Sequence, residues 1–285
     1  MQKYDYGFKI RHESDFEINE VLAKKLGETL IRIKGKSDLE LAQSGDLDTQ
    51  SFINFRINRR FKNIPSLDIF NQQIEKHGLS VYFLVDCSGS MSWGSASEQL
   101  SNLTATIFKA LKKCYFIDFK VIAFSGDTKS YKALFQEINK LEDCKYITYD
   151  GIDRYTPTPI ALNYVAEKLG KMENKKLVIL FTDGKPEGSR DDKLLEEETK
   201  QEIINMKNKK IDFFTIFYVN EAYFNYQHKR YVKHGIYDMY VIKDTIDFMR
   251  SIFKSAMYET SDFKEVEKIM IKKLCEAVEK INQGA

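Results

Sequence analysis

Apolar residues fall into two alternating patterns along the chain: short, nearly continuous runs, and longer segments in which they recur every three or four positions. The runs Val81–Val85, Phe119–Phe124, Leu177–Phe181 and Ile211–Val219 read as strands. Their near-absence of polar alternation suits strands buried on both faces, as in a parallel sheet covered by helices. Between them, Leu100, Leu103, Thr104, Ile107, Phe108 and Leu111 recur at helical spacing. Further helices are expected over 159–170 and, with an acidic surface, over 194–208. Beyond the fourth run, Met239–Ile242 reads as a short strand and 245–258 as a helix. Strands alternating with amphipathic helices predict an α/β fold with a mostly parallel, Rossmann-like central sheet and helices on both faces.

The pattern changes at both ends. Ser14-Asp15-Phe16-Glu17 fits a capping box, and Ile18, Leu22, Leu26, Leu30 and Ile33 follow at helical spacing up to Gly35, where the helix is expected to stop. A second helix is expected near Asp48, with Phe52 and Phe55 on one face and a basic cluster of Arg56, Arg59, Arg60 and Lys62. Leu67–Ile74 could add an edge strand. At the other end Phe263, Val266, Met270, Leu274, Val278 and Ile281 mark an amphipathic helix, which could dock on the protein's own amino-terminal helix or on another subunit, docking on its own chain being the expectation. The division predicted is a helical extension over 1–78, the α/β domain over 79–259 and a carboxyl-terminal helix over 260–285.

Composition narrows the function classes. The chain has 285 residues, of which 43% are hydrophobic, enough for a substantial core. Its 44 basic and 42 acidic residues nearly cancel, which gives no electrostatic reason to expect nucleic acid or an anionic membrane as partner. No run approaches the roughly twenty apolar residues of a membrane span, and the amino terminus lacks a signal core. A cytoplasmic location is expected. Cys87, Cys114, Cys144 and Cys275 form no Cys-x-x-Cys pair, which argues against a zinc site and a disulfide framework. His12, His77, His228 and His234 are too dispersed to suggest a catalytic base.

The chemistry concentrates where the strand runs stop. Val81–Val85 ends in Asp86-Cys87-Ser88-Gly89-Ser90, which places three hard oxygen donors on one turn. Leu177–Phe181 ends in Thr182-Asp183-Gly184, and the turn Tyr155-Thr156-Pro157-Thr158-Pro159 offers another hydroxyl. In open α/β sheets ligands gather outside the carboxyl ends of the strands. A set of two Asp, two Ser and one Thr favours Mg²⁺, Mn²⁺ or Ca²⁺ over zinc or copper. With only two charged donors, the ion would keep an affinity for one more anionic oxygen.

At these residues the chain resembles the von Willebrand factor A (VWA) family, whose metal-ion-dependent adhesion site (MIDAS) has an Asp-x-Ser-x-Ser turn, a distant Thr and a distant Asp. The resemblance implies metal ligands Asp86, Ser88, Ser90, Thr156 and Asp183, with Thr156 chosen because it stands five residues before Ala161 of the pair Ala161-Leu162. It also implies that the hydroxyls bind the metal directly and that the Asp residues act largely through water. Met91, Trp93, Tyr155, Lys185, Asn220 and Glu221 are the expected partner-binding rim. Upstream, Ser44-Gly45-Asp46-Leu47-Asp48 followed by an Arg-rich helix resembles the cobaltochelatase CobT-type subunit and its relatives. That resemblance implies work alongside a ring-forming AAA+ ATPase of the MoxR or CobS kind. The chain departs from the larger CobT proteins in lacking a long acidic segment, and it has no Gly-x-x-x-x-Gly-Lys-Ser/Thr.

The expected function is a non-catalytic, divalent-metal-dependent protein-binding module that captures a partner carboxylate. Two alternatives come from other classes. One is an enzyme subunit, either a chelatase component or an Mg²⁺-dependent phosphatase with Asp86 as nucleophile; the common phosphatase pattern needs a second Asp where this chain has Ser88. The other is a single-stranded nucleic-acid binder using the aromatic and basic stretch 220–240.

Overall fold

The computed structural model describes residues 16–42, 78–92, 95–127, 132–147, 154–187, 191–225 and 240–283. Helix α1 spans Glu20–Ala42, and strand β1, Leu79–Asp86, follows. Next come α2 (Ala96–Leu111), β2 (Ile117–Asp127), β3 (Lys132–Ile138), the two-residue β4 (Arg154–Tyr155) and α3 (Thr158–Leu169). The chain closes with β5 (Lys175–Thr182), α4 (Asp192–Asn208), β6 (Ile211–Tyr218), α5 (Tyr240–Phe253), β7 (Met257–Thr260) and α6 (Phe263–Gln283).

These strands form one seven-stranded sheet in the order β3-β2-β1-β5-β6-β7, with β4 attached to β2. The pairs β1–β2, β1–β5, β5–β6 and β6–β7 are parallel, and only β3 and β4 run antiparallel, both against β2. All eight residues of β1 are buried, as its uninterrupted apolar sequence requires. Alternate residues serve opposite layers. Val81, Phe83 and Val85 face a core filled by α1, α2 and α6, while Tyr82 and Leu84 face one filled by α3, α4 and α5. The carboxyl ends of β1, β5 and β6 therefore emerge side by side from a rigid centre, and the chemistry sits there.

Helix α1 belongs to the first of these cores. Ala23, Leu26 and Leu30 are buried in it. The helix lies so close to α2 that a Cβ on Gly27 would stand 2.8 Å from the carbonyl oxygen of Ala110. The amphipathic residues of α6 are buried in the same layer from Phe263 to Ile281, so the tail docks on its own chain.

Several local expectations need correction. The cap of α1 is Asn19, whose side chain accepts the Leu22 N–H at 3.0 Å, and Glu17 precedes the helix. The lead-in is pinned to α2 instead, with the Glu17 N–H donating to Asn102 Oδ1 at 2.7 Å and the Asn19 N–H to Thr106 Oγ1 at 3.1 Å. Gly35 does not end the helix, which continues to Ala42; a single glycine costs only about 1 kcal/mol there. Residues 240–242, read as strand, open α5, because a short apolar run suits a helix turn equally well. Lys254 takes a left-handed φ of 48° directly after α5, and the last strand follows at Met257–Thr260, where a helix was expected to be ending. Strand β3 was missed although Ala133 and Phe135 alternate with less buried neighbours. The helix near Asp48, its basic cluster and the edge strand 67–74 lie outside the described residues.

Leu30→Ala should lower the free energy of unfolding by about 2–5 kcal/mol, the cost of a cavity in a packed core. Val21→Ala on the same helix, at a side chain 80% exposed, should change it by less than about 0.5 kcal/mol. Urea unfolding followed by circular dichroism checks both, and equal midpoints would mean that α1 does not share the core.

Candidate metal centre

The site begins where β1 runs out of sheet. The Cys87 N–H still donates to the Phe124 carbonyl at 2.8 Å, which completes the β1–β2 ladder. One residue later the chain turns, because Asp86 Oδ1 accepts the Ser88 N–H at 2.8 Å, a local bond that Asp favours in turns. A 3₁₀ turn over Gly89–Ser92 follows, closed at its start by Met91 N–H donating to the Ser88 carbonyl at 3.2 Å. The turn brings the Ser88 and Ser90 hydroxyls to within 3.1 Å of each other. Cys87, between Asp86 and Ser88 in sequence, points the opposite way, into the α1–α2–α6 core.

Strand β5 delivers the second carboxylate. The parallel register pairs Val85 with Phe181, which sets Asp86 beside Thr182 and Asp183 just beyond the sheet edge. Thr182 Oγ1 donates to Asp86 Oδ2 at 2.6 Å and accepts the Gly184 N–H at 3.2 Å. Ser90 Oγ donates to Asp183 Oδ1 at 2.5 Å, so the two turns are joined directly.

Thr156 comes from the third loop. Tyr155 pairs with Gly126 across β4 and β2, and a Cβ on Gly126 would lie 2.3 Å from the Tyr155 ring. Glycine there lets the ring lie on the strand and sets the next residue over the site. The Thr156 carbonyl accepts N–H groups from Thr158 and Glu187, both at 2.9 Å, which ties this loop to the one after β5. A Cβ on Gly184 would stand 3.6 Å from Thr156 Oγ1 and 3.9 Å from Ser90 Oγ. Asp86, Ser88, Ser90, Thr156 and Asp183 therefore meet at one place. Among the described residues Thr158 Oγ1 is buried without a hydrogen-bond partner.

A fourth loop closes the arrangement. Asn220 follows β6 and is 3% exposed. Its Nδ2 donates to the Ser90 carbonyl at 3.1 Å and to Asp183 Oδ2 at 3.2 Å, while its Oδ1 accepts the Tyr223 N–H at 3.3 Å. It was expected on the rim and instead lies beneath it, clamping both turns. Met91 is 1% exposed and packs in the core below the turn, and Tyr155 is buried over Gly126. Lys185 is half-buried, with Nζ 5.8 Å from the centre of the Phe248 ring. Glu221 is exposed. Trp93 lies outside the described residues. Thr182 was passed over in the sequence, although it directly precedes Asp183 at the end of an apolar run.

The electrostatics are unusual for a protein interior. Asp86 is 0% and Asp183 1% exposed. Among the described residues no cationic side chain pairs with either. Burial pushes the Asp86 carboxyl up, against the pull of hydrogen bonds from Thr182, Ser88 and Thr156. Burial, and after it the negative charge of Asp86, pushes Asp183 up to about 7. Two buried carboxylates served only by neutral donors are costly when both are ionised, and one nearby cation removes that cost. The donors are all hard oxygens, the set that Mg²⁺, Mn²⁺ and Ca²⁺ take. Among the described residues no group of three His, Cys, Asp or Glu side chains offers another place for a metal.

The sequence model of the von Willebrand factor type A domain matches residues 80–270. No curated protein matches the chain. Among solved structures, proximal thread matrix protein 1 from the mussel byssus is 16% identical, with 71% of this chain and 47% of that one covered and a TM-score of 0.47. The same protein with a zinc-occupied MIDAS motif gives 16% identity, 72% and 47% coverage and 0.48. The human COPII-coat protein Sec24c gives 11% identity, 71% and 32% coverage and 0.38. The chain thus spans less than half the length of each.

Asp183 makes a signed prediction. Its carboxyl titrates near 7 in the folded chain against 3.8 ordinarily, so between those values the folded state holds a proton that the unfolded state has lost. That contribution is fully present below the lower value and lost as pH rises towards the higher one. Thermal unfolding in chelator from pH 5 to 7.5 should show the wild type losing stability relative to Asp183→Asn. Parallel curves for the two proteins would refute the assignment.

Proposed function

The chain belongs to the von Willebrand factor type A domain family, and on that premise we propose that it is a divalent-cation-dependent protein-binding module. The observation that carries this reading is the pair of buried carboxylates, Asp86 and Asp183, ringed by hydroxyls and, among the described residues, without a cationic side chain. Asp86 and Asp183 supply the charge that a divalent cation needs, and Ser88, Ser90 and Thr156 supply neutral oxygens. When bound, the cation contributes an open coordination position for a carboxylate of the partner. Thr182 and Asn220 hold the two aspartates in place through the bonds described above, so the chain fixes the donors before any partner arrives.

A catalytic role for Asp86 receives little support. Its Oδ1 accepts the Ser88 N–H and its Oδ2 the Thr182 hydroxyl, and the residue is fully buried, which is poor presentation for a nucleophile. We favour Mg²⁺ as the cation. The four free thiols suit a reducing, cytoplasmic setting. For the partner we favour a ring-forming AAA+ ATPase of the MoxR or CobS kind or its client, on the resemblance of the upstream segment to CobT-type subunits. The chain would then act as the adaptor and the ring would hydrolyse ATP.

The test uses the full chain immobilised against the AAA+ ATPase of its host, with Mg²⁺ or with chelator. Ser88→Ala combined with Ser90→Ala should leave the circular dichroism spectrum in place and weaken capture by at least about 2 kcal/mol, roughly thirtyfold, as loss of a central contact does. Chelator should do the same to the wild type. Capture indifferent to both would take the cation out of the mechanism. Cation-dependent capture of a different protein would keep the binding function and discard the ATPase partnership.

A further inference from the structure

At the opposite end of the sheet, the amino ends of β1, β5 and β6 and the last turns of α6 enclose a cleft of about 670 Å³. Five lysines line it, Lys175, Lys176, Lys207, Lys210 and Lys280, against one glutamate, Glu173, and one aspartate, Asp212. Asp212 is taken by Lys280 at 2.7 Å. Among the described residues no carboxylate lies within ion-pair distance of the other four lysines. An anion in the cleft would meet several cations on its walls at once. The floor between them is apolar, formed by Leu79, Leu177, Ile211 and Ile281.

Lysines at the end of α4 could simply answer the negative end of the helix. That account fits Lys207 and leaves Lys175 and Lys176 on β5 and Lys280 on α6 unexplained. It also leaves Lys210, which adopts a φ of 55° immediately after the helix. Its N–H donates to the Lys207 carbonyl at 3.0 Å, the geometry of a helix end at which glycine is strongly favoured. A lysine there sets a cationic side chain on the cleft wall at a position whose backbone disfavours any side chain.

We propose that this basal cleft binds a compact polyphosphate, of the class of a nucleotide triphosphate or an inorganic polyphosphate chain. The volume is that of a small-molecule pocket. The five lysines line a single concavity, which favours a compact ligand over a strand of nucleic acid. All the cations are lysines, point charges suited to several phosphates in no fixed orientation, where a planar carboxylate would call for arginine. The inference is independent of the metal centre at the other end of the sheet.

The experiment titrates the full chain with inorganic tripolyphosphate, ATP and adenosine by calorimetry, in chelator so that the apical carboxylates take no part. Tripolyphosphate and ATP should bind and adenosine should not, with affinity falling as salt rises from about 50 to 200 mM. Tighter binding of ATP than of tripolyphosphate would identify a nucleotide, and equal binding a bare phosphate chain. Lys175→Ala with Lys207→Ala should weaken binding at least about tenfold, as loss of two phosphate-directed charges does. Lys210→Gly should weaken it severalfold while unfolding at the same or a higher temperature, since glycine relieves the left-handed backbone. Absence of binding at millimolar tripolyphosphate, or affinity untouched by Lys210→Gly and the double variant alike, would overturn the proposal. So would a preference for a single-stranded oligonucleotide over both compact probes.

Discussion

Burial of Asp86 and Asp183 side by side is the constraint around which the apical end of this protein is arranged. An ionised carboxylate removed from water without a cation costs several kcal/mol, and two such groups repel each other besides. The chain answers with neutral donors. Ser88 N–H and the Thr182 hydroxyl take the two oxygens of Asp86, and Ser90 and Asn220 take the two of Asp183. Each bond lowers the cost, yet burial still outweighs them and both groups stand above the ordinary aspartate range. What the donors achieve is orientation. With every oxygen held by a hydrogen bond, the geometry is set before any ion or partner arrives.

That orientation depends on the sheet. The parallel pairing of β1 with β5 puts Asp86 beside Thr182, and the pairing of β5 with β6 brings the loop carrying Asn220 up to the same edge. A shift of one residue in either register would turn the carboxylates to the other face. The buried alternation of β1, with Val81, Phe83 and Val85 in one core and Tyr82 and Leu84 in the other, prevents such a shift. Stability of the two cores and precision of the site are thus one property. The amino end of β5 carries Lys175 and Lys176, and Lys210 immediately precedes β6, so lysines stand at the end of the sheet opposite Asp86 and Asp183.

Much of this was legible in the sequence for a physical reason. A strand buried on both faces must be apolar throughout, so a polar residue at its end is conspicuous, and Asp86 and Asp183 both stand in that position. Thr182 and Asn220 were harder to place. A threonine before an aspartate and an asparagine after a strand are ordinary turn residues, and only the parallel register reveals that each reaches a carboxylate on another loop. The misread segment at 240–242 shows a different limit, since so short an apolar run carries no periodicity by which helix and strand could be told apart. Asn19 displaced the expected capping box because α2, distant in sequence, fixes the preceding backbone through Asn102 and Thr106. The basal cleft was not visible at all, because its lysines are scattered from 175 to 280 in a chain already rich in lysine.

Thr156 shows how lightly part of the site is built. It is introduced by β4, a strand of two residues, on a loop anchored by the Tyr155 ring against Gly126 and by one carbonyl shared with Thr158 and Glu187. A two-residue strand has almost no stability of its own. On the proposed reading, an ion held jointly by Thr156, the Ser88–Ser90 turn and Asp183 would cross-link this weak element to the rigid centre. It would also stabilise the folded state in proportion to its occupancy, by about 2.7 kcal/mol at a hundred times its dissociation constant. The repulsion between Asp86 and Asp183 and the lightness of the Thr156 loop are then two sides of one arrangement, in which a bound ion would relieve the first and brace the second.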